Sequence, residues 1–252
     1  MKTVVYQSFR SEQVPQWVSH CMESVRAWAK ELGFDYRFIG DEIFDLAPGW
    51  YREKARKRIP VMTDLGRLLL ARQFLEEGYE RAIWLDADVL VFDAEGLKID
   101  VADEFAFGRE VWVQKDGKGR LKAYRNVHNA LCVFTAGNSF LDFYIHACLS
   151  IIRRMEGEMV PQIVGPKLLT SLHNTVGFQL VEEVGMISPL VLSDLVKGGG
   201  EALDILRQEQ PTLKAANLSA SLSEKETDGV PVTEAMLEAA IDRLQACNSF
   251  KR

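Results

Sequence analysis

Blocks of apolar and polar positions along this chain switch between an extended and a helical period. The run Thr3-Val4-Val5-Tyr6 is short, β-branched and apolar, which predicts a strand. Over residues 15–32, Trp17, Cys21, Val25, Trp28 and Leu32 recur at near-helical spacing on one face. Pro15 suits the first turn of that helix and Gly33 its stop. Residues 34–39 predict the next strand. Residues 63–77 predict a second helix, with Leu65, Leu68, Leu69 and Leu75 inward and Gly78 as its cap. Ala82-Ile83-Trp84-Leu85 then predicts a short buried strand that ends at Asp86. Further strands are expected at 110–114, 130–135 and 179–184. A long helix is expected over 139–155, where Leu141, Tyr144, Ile145, Cys148 and Ile152 form one stripe. Alternating strand and helix signals predict an α/β fold with a mostly parallel central sheet flanked by helices.

The last part of the chain has a different texture. Gly198-Gly199-Gly200 predicts a flexible joint, residues 217–229 are polar and predict a loop, and residues 233–247 predict a capped, alanine-rich helix. The expected organisation is an α/β unit over residues 1–197. Residues 198–252 then form a flexible loop or lid and a C-terminal helix of the same domain.

Composition narrows the chemistry. A chain of 252 residues, 47% apolar and 26% charged, buries a sizeable core without disulfides or a structural metal. A net charge of -6 opposes a general nucleic-acid binder, which needs excess Lys and Arg to neutralise phosphates. Cys21, Cys132, Cys148 and Cys247 show no zinc spacing, and three of them lie in apolar runs that suit buried free thiols. The first residues carry no cleavable apolar signal, and no stretch reaches the roughly 20 apolar residues of a membrane span. A cytoplasmic location is therefore expected.

The candidate chemistry centres on Asp86-Ala87-Asp88. The chain holds 15 aspartates in 252 positions, so chance alone supplies about one Asp-X-Asp pair. Context makes this pair informative: an apolar strand ends in two carboxylates and apolar chain resumes at Val89. Ligands of open α/β sheets bind at the carboxyl ends of strands. Alternation along extended backbone is expected to place both carboxylates on one side. Such hard oxygens select Mn²⁺ or Mg²⁺, which bridges a diphosphate and stabilises the charge that grows as it leaves. The plain alternative is a strand-end turn with two solvated aspartates.

Several segments together resemble a family. Val5-Tyr6-Gln7-Ser8-Phe9 resembles an opening strand that typically reads Ile-His-Gln-Ile-Trp, and Thr63-Asp64-Leu65-Gly66-Arg67 resembles a Ser-Asp-Leu-X-Arg helix start. Asn129 before an apolar strand and Gly165-Pro166 opening a helix add to the pattern. The chain is thus similar to the Asp-X-Asp glycosyltransferases of the A-type, Rossmann-like nucleotide-sugar fold. The nearest likeness is to the sugar-binding region of capsular polysaccharide and initiating mannosyltransferase-like enzymes. The likeness is patchy and spans roughly residues 3 to 190. One departure is that Gly78-Tyr79 is followed by a full apolar strand before Asp86, a form closer to galactosyltransferase-like relatives.

The resemblance implies transfer of a sugar from a UDP- or GDP-sugar to a carbohydrate or other hydroxyl acceptor, with retention of anomeric configuration. It implies that Asp86 and Asp88 hold the metal, with Asn217 as a third contact through the segment Asn217-Leu218-Ser219-Ala220-Ser221-Leu222. Tyr6, Gln7, Ser8, Asp64, Arg67, Asn129 and Lys167 are the implied donor-binding residues. Thr63 and Asp64 also suit ordinary helix-start chemistry, and Lys167 a solvated turn. The basic run Arg52, Lys54, Arg56, Lys57 and Arg58 offers peripheral membrane or anion contact, or a solvated loop face.

Three other functions share parts of this pattern. A phosphatase of the haloacid-dehalogenase type also places Asp-X-Asp after an apolar strand, but that strand usually comes first in the chain. A nucleotidyltransferase would need a Gly-rich loop near the N-terminus. A non-catalytic sugar-nucleotide-binding module shares every feature except a need for the acidic pair.

Overall fold

The strand that opens the chain is buried along nearly its whole length and is an interior strand of the main sheet. The computed structural model describes residues 1–246, so Cys247 lies outside the described residues. The first half contains β1 (Thr3–Ser8), α1 (Gln16–Glu31), β2 (Asp35–Ile39), a 3-10 turn (Asp41–Leu46), α2 (Gly49–Ala55), α3 (Ile59–Glu76), β3 (Arg81–Leu85) and β4 (Val89–Val91). The long hairpin β5 (Phe105–Lys115) and β6 (Leu121–Thr135) follows, then α4 (Phe140–Arg154), α5 (Pro166–Val176), β7 (Leu180–Val181) and β8 (Val184–Met186). The described residues end with α6 (Pro189–Lys197), α7 (Glu201–Glu209), β9 (Ala215–Asn217), β10 (Lys225–Thr227), β11 (Val230–Val232) and α8 (Glu234–Ala246).

The main sheet has the order β2-β1-β3-β6-β5-β7. Pairing is parallel for β1 with β2 and β3 and for β5 with β7, while β6 runs against both its neighbours. Only β6 is reversed, so the sheet is mostly parallel, as expected. Side chains alternate across it. Val4, Tyr6 and Trp84 face α3 and α4, whereas Val5, Ile83 and Leu85 face Val25, Trp28 and Ala29 of α1. A second sheet, β4-β9-β8, carries the chain beyond the acidic pair.

Several boundaries differ from expectation for local reasons. Helix α3 starts at Ile59, with Pro60 in its first turn, so Thr63 and Asp64 lie a full turn inside it. Thr63 Oγ1 donates back to the Ile59 carbonyl at 3.1 Å and caps nothing. The basic run begins on α2, where Tyr51 and Ala55 bury the inner face, while Arg56, Lys57 and Arg58 form the turn that leads into α3. The segment expected as one strand at 179–184 divides between β7 and β8, in different sheets. The three glycines at 198–200 form a helix–helix junction: the Asp194 carboxylate accepts from the amides of Ala202 and Leu203 and caps α7. Residues 217–229 hold short elements, since β9 pairs with β4 and β10 with β11.

Cys21, Cys132 and Cys148 are buried free thiols. Among the described residues, no helix is long and apolar enough to cross a membrane.

Candidate functional site

Strand β3 delivers Asp86 to the carboxyl edge of the sheet, and the chain turns there. The Val89 amide donates to the Asp86 carbonyl at 3.0 Å, closing a turn over Asp86-Ala87-Asp88-Val89. The motif is therefore not extended, and alternation does not explain why both carboxylates face one cleft; the turn does. Asp86 is held by its backbone, whose amide donates to the Ala130 carbonyl at 2.9 Å and whose carbonyl accepts from Gln7 Nε2 at 2.9 Å. Its Oδ1 accepts from the Trp84 indole at 2.6 Å and lies 3.1 Å from Arg67 Nη1.

Asp88 is held from the second sheet. Register between β4 and β9 sets Val89 opposite Asn217, whose Nδ2 donates to Asp88 Oδ1 at 2.6 Å. The Ala220 amide donates to Asp88 Oδ2 at 2.7 Å. Ser219 adopts a left-handed conformation (φ 58°) to permit this, and its amide donates to Asn217 Oδ1 at 2.7 Å. That bond turns the Asn217 oxygen away from the acidic pair, so Asn217 reaches the site through its N–H and positions Asp88. Burial and the charge of Asp86 push the Asp88 carboxyl well above the usual range. Two neutral donors meet it, and no cation does among the described residues.

Arg67 joins three segments. Its guanidinium lies 3.2 Å from Asp64 Oδ1, donates to the Asn129 carbonyl, and sits 4.8 Å from the centre of the Trp84 ring. Burial works against its charge, but Asp86 and Asp64 more than restore it. Asn129 Nδ2 donates to the same Asp64 oxygen at 2.7 Å. Asn129 reaches Asp64 because β6 breaks register there: Phe107 pairs with Cys132 but Gly108 with His128. Such an irregularity re-aims side chains. Gly108 is required beside it, since an added Cβ would lie 2.0 Å from the His128 ring. Burial raises the Asp64 carboxyl to about 6, with Arg67 and Asn129 opposing.

The cleft over these groups has a volume of about 560 Å³. Ser8, Phe44, Thr63 and Pro166 line it together with Asp64, Arg67, Asp86, Asp88, Asn129 and Asn217. Gly165 closes in on the buried ion pair; a Cβ there would meet Asp64 Oδ2 at 2.7 Å and Asn129 Nδ2 at 2.8 Å. Gly165→Ala is expected to destabilise the fold by about 1–3 kcal/mol through this overpacking, read as a shift in urea midpoint. An unchanged midpoint would mean that α5 moves aside freely.

Not every expected donor contact reaches the cleft. Tyr6 is fully buried between Phe74 and Trp84, and its hydroxyl donates to the Arg67 carbonyl at 2.8 Å. Gln7 is fully buried too, spanning the Asp86 carbonyl and the Tyr36 hydroxyl. Both brace the site from behind, because β1 is an interior strand. Lys167 is exposed and lines a neighbouring groove with Thr170 and Asn174. The basic run also lies apart from the cleft: Arg52 pairs with Asp45, Arg58 with Glu158, and Lys54 and Arg56 line a shallow groove with Trp50. The Trp84 indole and the Ser219 and Ala220 amides also shape the site, and no motif in the sequence marks them. Nothing in residue type marks a backbone amide, but Trp84 stands two residues before Asp86 and signals itself.

The acidic pair fits a hard divalent cation. No cluster of three His, Cys, Asp or Glu occurs among the described residues. Mg²⁺-like ions nonetheless need only one or two carboxylates when phosphate oxygens and water complete the shell. The carboxyl of Asp88, raised by burial and by its acidic neighbour, is the group such an ion relieves.

No family model matches the chain, and no curated protein does. Among solved structures it superposes on a glycosyltransferase involved in the glycosylation of the major capsid of PBCV-1. The TM-score is 0.53 and the identity 10%, over 96% of this chain and 100% of that one. A STIV protein is 12% identical over 69% of this chain and 78% of its own, at a TM-score of 0.31. A Drosophila β-1,4-galactosyltransferase 7 complexed with manganese, UDP-Gal and xylobiose is 10% identical over 72% and 76%, at a TM-score of 0.32. These last two superpose too loosely to bear on the fold. The chain has the A-type glycosyltransferase fold: a single α/β domain with a mostly parallel sheet flanked by helices.

Proposed function

We propose that this protein transfers a sugar from a UDP- or GDP-sugar to a hydroxyl acceptor, with a divalent ion held by Asp86 and Asp88. The observation that carries the reading is the meeting of two segments at the cleft. The acidic turn after β3 lies beside the buried Asp64–Arg67 pair, with Arg67 linked to both. Mn²⁺ or Mg²⁺ bound there would neutralise the charge that develops on the departing diphosphate. In this reading Asp64 and Asn129 orient the donor sugar, Arg67 holds both acidic groups in register, and Ser8 flanks the nucleotide. Asn217 and Ala220 hold Asp88, and the β10–β11 hairpin beyond them closes over the donor as a lid. The phosphatase reading is less favoured, because Asp86 is clamped by Trp84 and Arg67 as a holding group and not freed as a nucleophile.

Calorimetric titration of UDP and GDP, with Mn²⁺ and with EDTA, tests this. One nucleotide is expected to bind with the ion and to lose its binding heat in EDTA. Failure of both to bind an intact fold would sink the transferase reading. Hydrogen exchange across β10 and β11 is expected to slow on addition of the nucleotide and Mn²⁺; unchanged exchange would remove the lid from the mechanism.

A further inference from the structure

The β5–β6 hairpin extends past the point where β6 leaves β3, so its outer part is a two-stranded ribbon. Its faces are unlike. Val111, Val113 and Val127 are buried in the core, whereas Glu110, Trp112, Tyr124 and Asn126 line a second groove of about 450 Å³. Register sets Glu110 opposite Asn126 and Trp112 opposite Tyr124, so a carboxylate–amide pair sits beside an aromatic pair on one face. This groove shares Asp86, Asn129 and Ser219 with the cleft of the acidic pair, and the two therefore open into each other. A pyranose has an apolar C–H face and a polar hydroxyl edge, the pattern that this ribbon complements.

We propose that this ribbon face is the acceptor subsite, where a sugar ring packs on Trp112 and Tyr124 and Glu110 takes the proton of the attacking hydroxyl. The inference rests on the transferase reading. In the step, the acceptor oxygen forms a bond to the anomeric carbon while the bond from that carbon to the diphosphate oxygen breaks. The electron pair leaves with the diphosphate, the hydroxyl proton passes to a Glu110 Oε, and solvent later removes it. Attack from the face opposite the leaving group inverts the anomeric carbon, where the family resemblance implies retention. Burial raises the Glu110 carboxyl to about 7, with the Asn126 amide opposing, which suits a base working near neutrality.

The test uses the full chain with Mn²⁺, a donor panel of UDP-glucose, UDP-galactose, UDP-N-acetylglucosamine and GDP-mannose, and methyl glycosides of glucose, galactose and mannose. Saturation-transfer NMR is expected to show glycoside contact in the wild type and its loss in Trp112→Ala. A glycoside is expected to accelerate nucleotide release and to yield an inverted linkage. Glu110→Gln should slow that release about 100-fold or more while UDP or GDP affinity stays within about twofold. Trp112→Ala should raise the glycoside KM about tenfold with kcat little changed. Absent glycoside contact in the wild type, or equal contact in Trp112→Ala, overturns the groove. No acceleration by any glycoside, a wild-type rate in Glu110→Gln, or a retained linkage overturns the base. Glycoside contact without UDP or GDP binding overturns the transferase reading, and the base role with it, while supporting the sugar groove.

Discussion

Asp88→Asn is expected to lower sugar transfer by about 100-fold or more and to abolish metal-dependent nucleotide binding, with the fold retained. The substitution removes one of the two carboxylates of the acidic pair and changes nothing in the core. An asparagine oxygen still accepts from either Asn217 or Ala220, while its amide group faces the other donor, so one hydrogen bond is lost. Relief of a buried charge offsets that loss. The raised carboxyl means that folding favours the protonated form. Its stabilising effect is complete below the unfolded value near pH 4 and is lost as pH rises through the folded value. At pH 8 the wild type carries this charge without a cation partner among the described residues, and the variant is expected to lie within about 1 kcal/mol of it in urea denaturation. Metal-dependent binding retained in Asp88→Asn would remove this residue from the metal site. A collapse in stability would instead show that the 217–220 turn depends on a full carboxylate.

The largest effect on stability is expected at Arg67. Arg67→Met leaves Asp64 buried without its cation and takes from Asp86 its ion-pair partner, at a cost of about 3–5 kcal/mol. Arg67→Lys should recover only part of this, because a single ammonium does not fork to two carboxylates and the Asn129 carbonyl at once. Adding Asp64→Asn to Arg67→Met should give less than the sum of the two losses, since the uncompensated buried charge is then gone. The deficit depends on pH. Asp64 is already raised to about 6 by burial, and removal of Arg67 raises it further. Protonation below that value silences the unpaired charge, so the deficit should be largest above pH 6 and shrink toward pH 5. Urea denaturation at pH 5 and pH 8 measures both arms. A loss under about 1 kcal/mol at pH 8 would show that the guanidinium is replaceable there.

Much of the frame was legible in the residues because it follows from local periodicity. The stripe Trp17, Cys21, Val25 and Trp28 predicts α1, and Ala82-Ile83-Trp84-Leu85 predicts β3. Both elements bury the face that their spacing marks. The position of the acidic pair was legible for the same reason, since two aspartates interrupt an apolar run at a strand end, but the turn that aims them was not. Boundaries were less legible where one residue has two local meanings. Thr63 and Asp64 have the composition of a helix start, yet Pro60 pre-sets the backbone earlier and makes them interior. Residues 217–229 are polar enough to read as loop, but strand pairing with β4 supplies hydrogen bonds that composition does not reveal.

By itself the sequence determined the layered α/β order, the position of the acidic pair at a strand end and the buried character of Cys21, Cys132 and Cys148. These follow from periodicity and hydrophobicity, which act over a few residues. The tertiary structure alone decided which polar groups share a site. Asp64 meets Asn129 across 65 positions, and Asp88 meets Asn217 across 129, in each case through sheet register. It alone turned Tyr6 and Gln7 inward, because β1 is covered on both faces, and it alone set Glu110 and Trp112 on a ribbon beside Asp86. Such contacts arise from packing between distant segments, where a one-residue change of register exchanges the two faces of a strand.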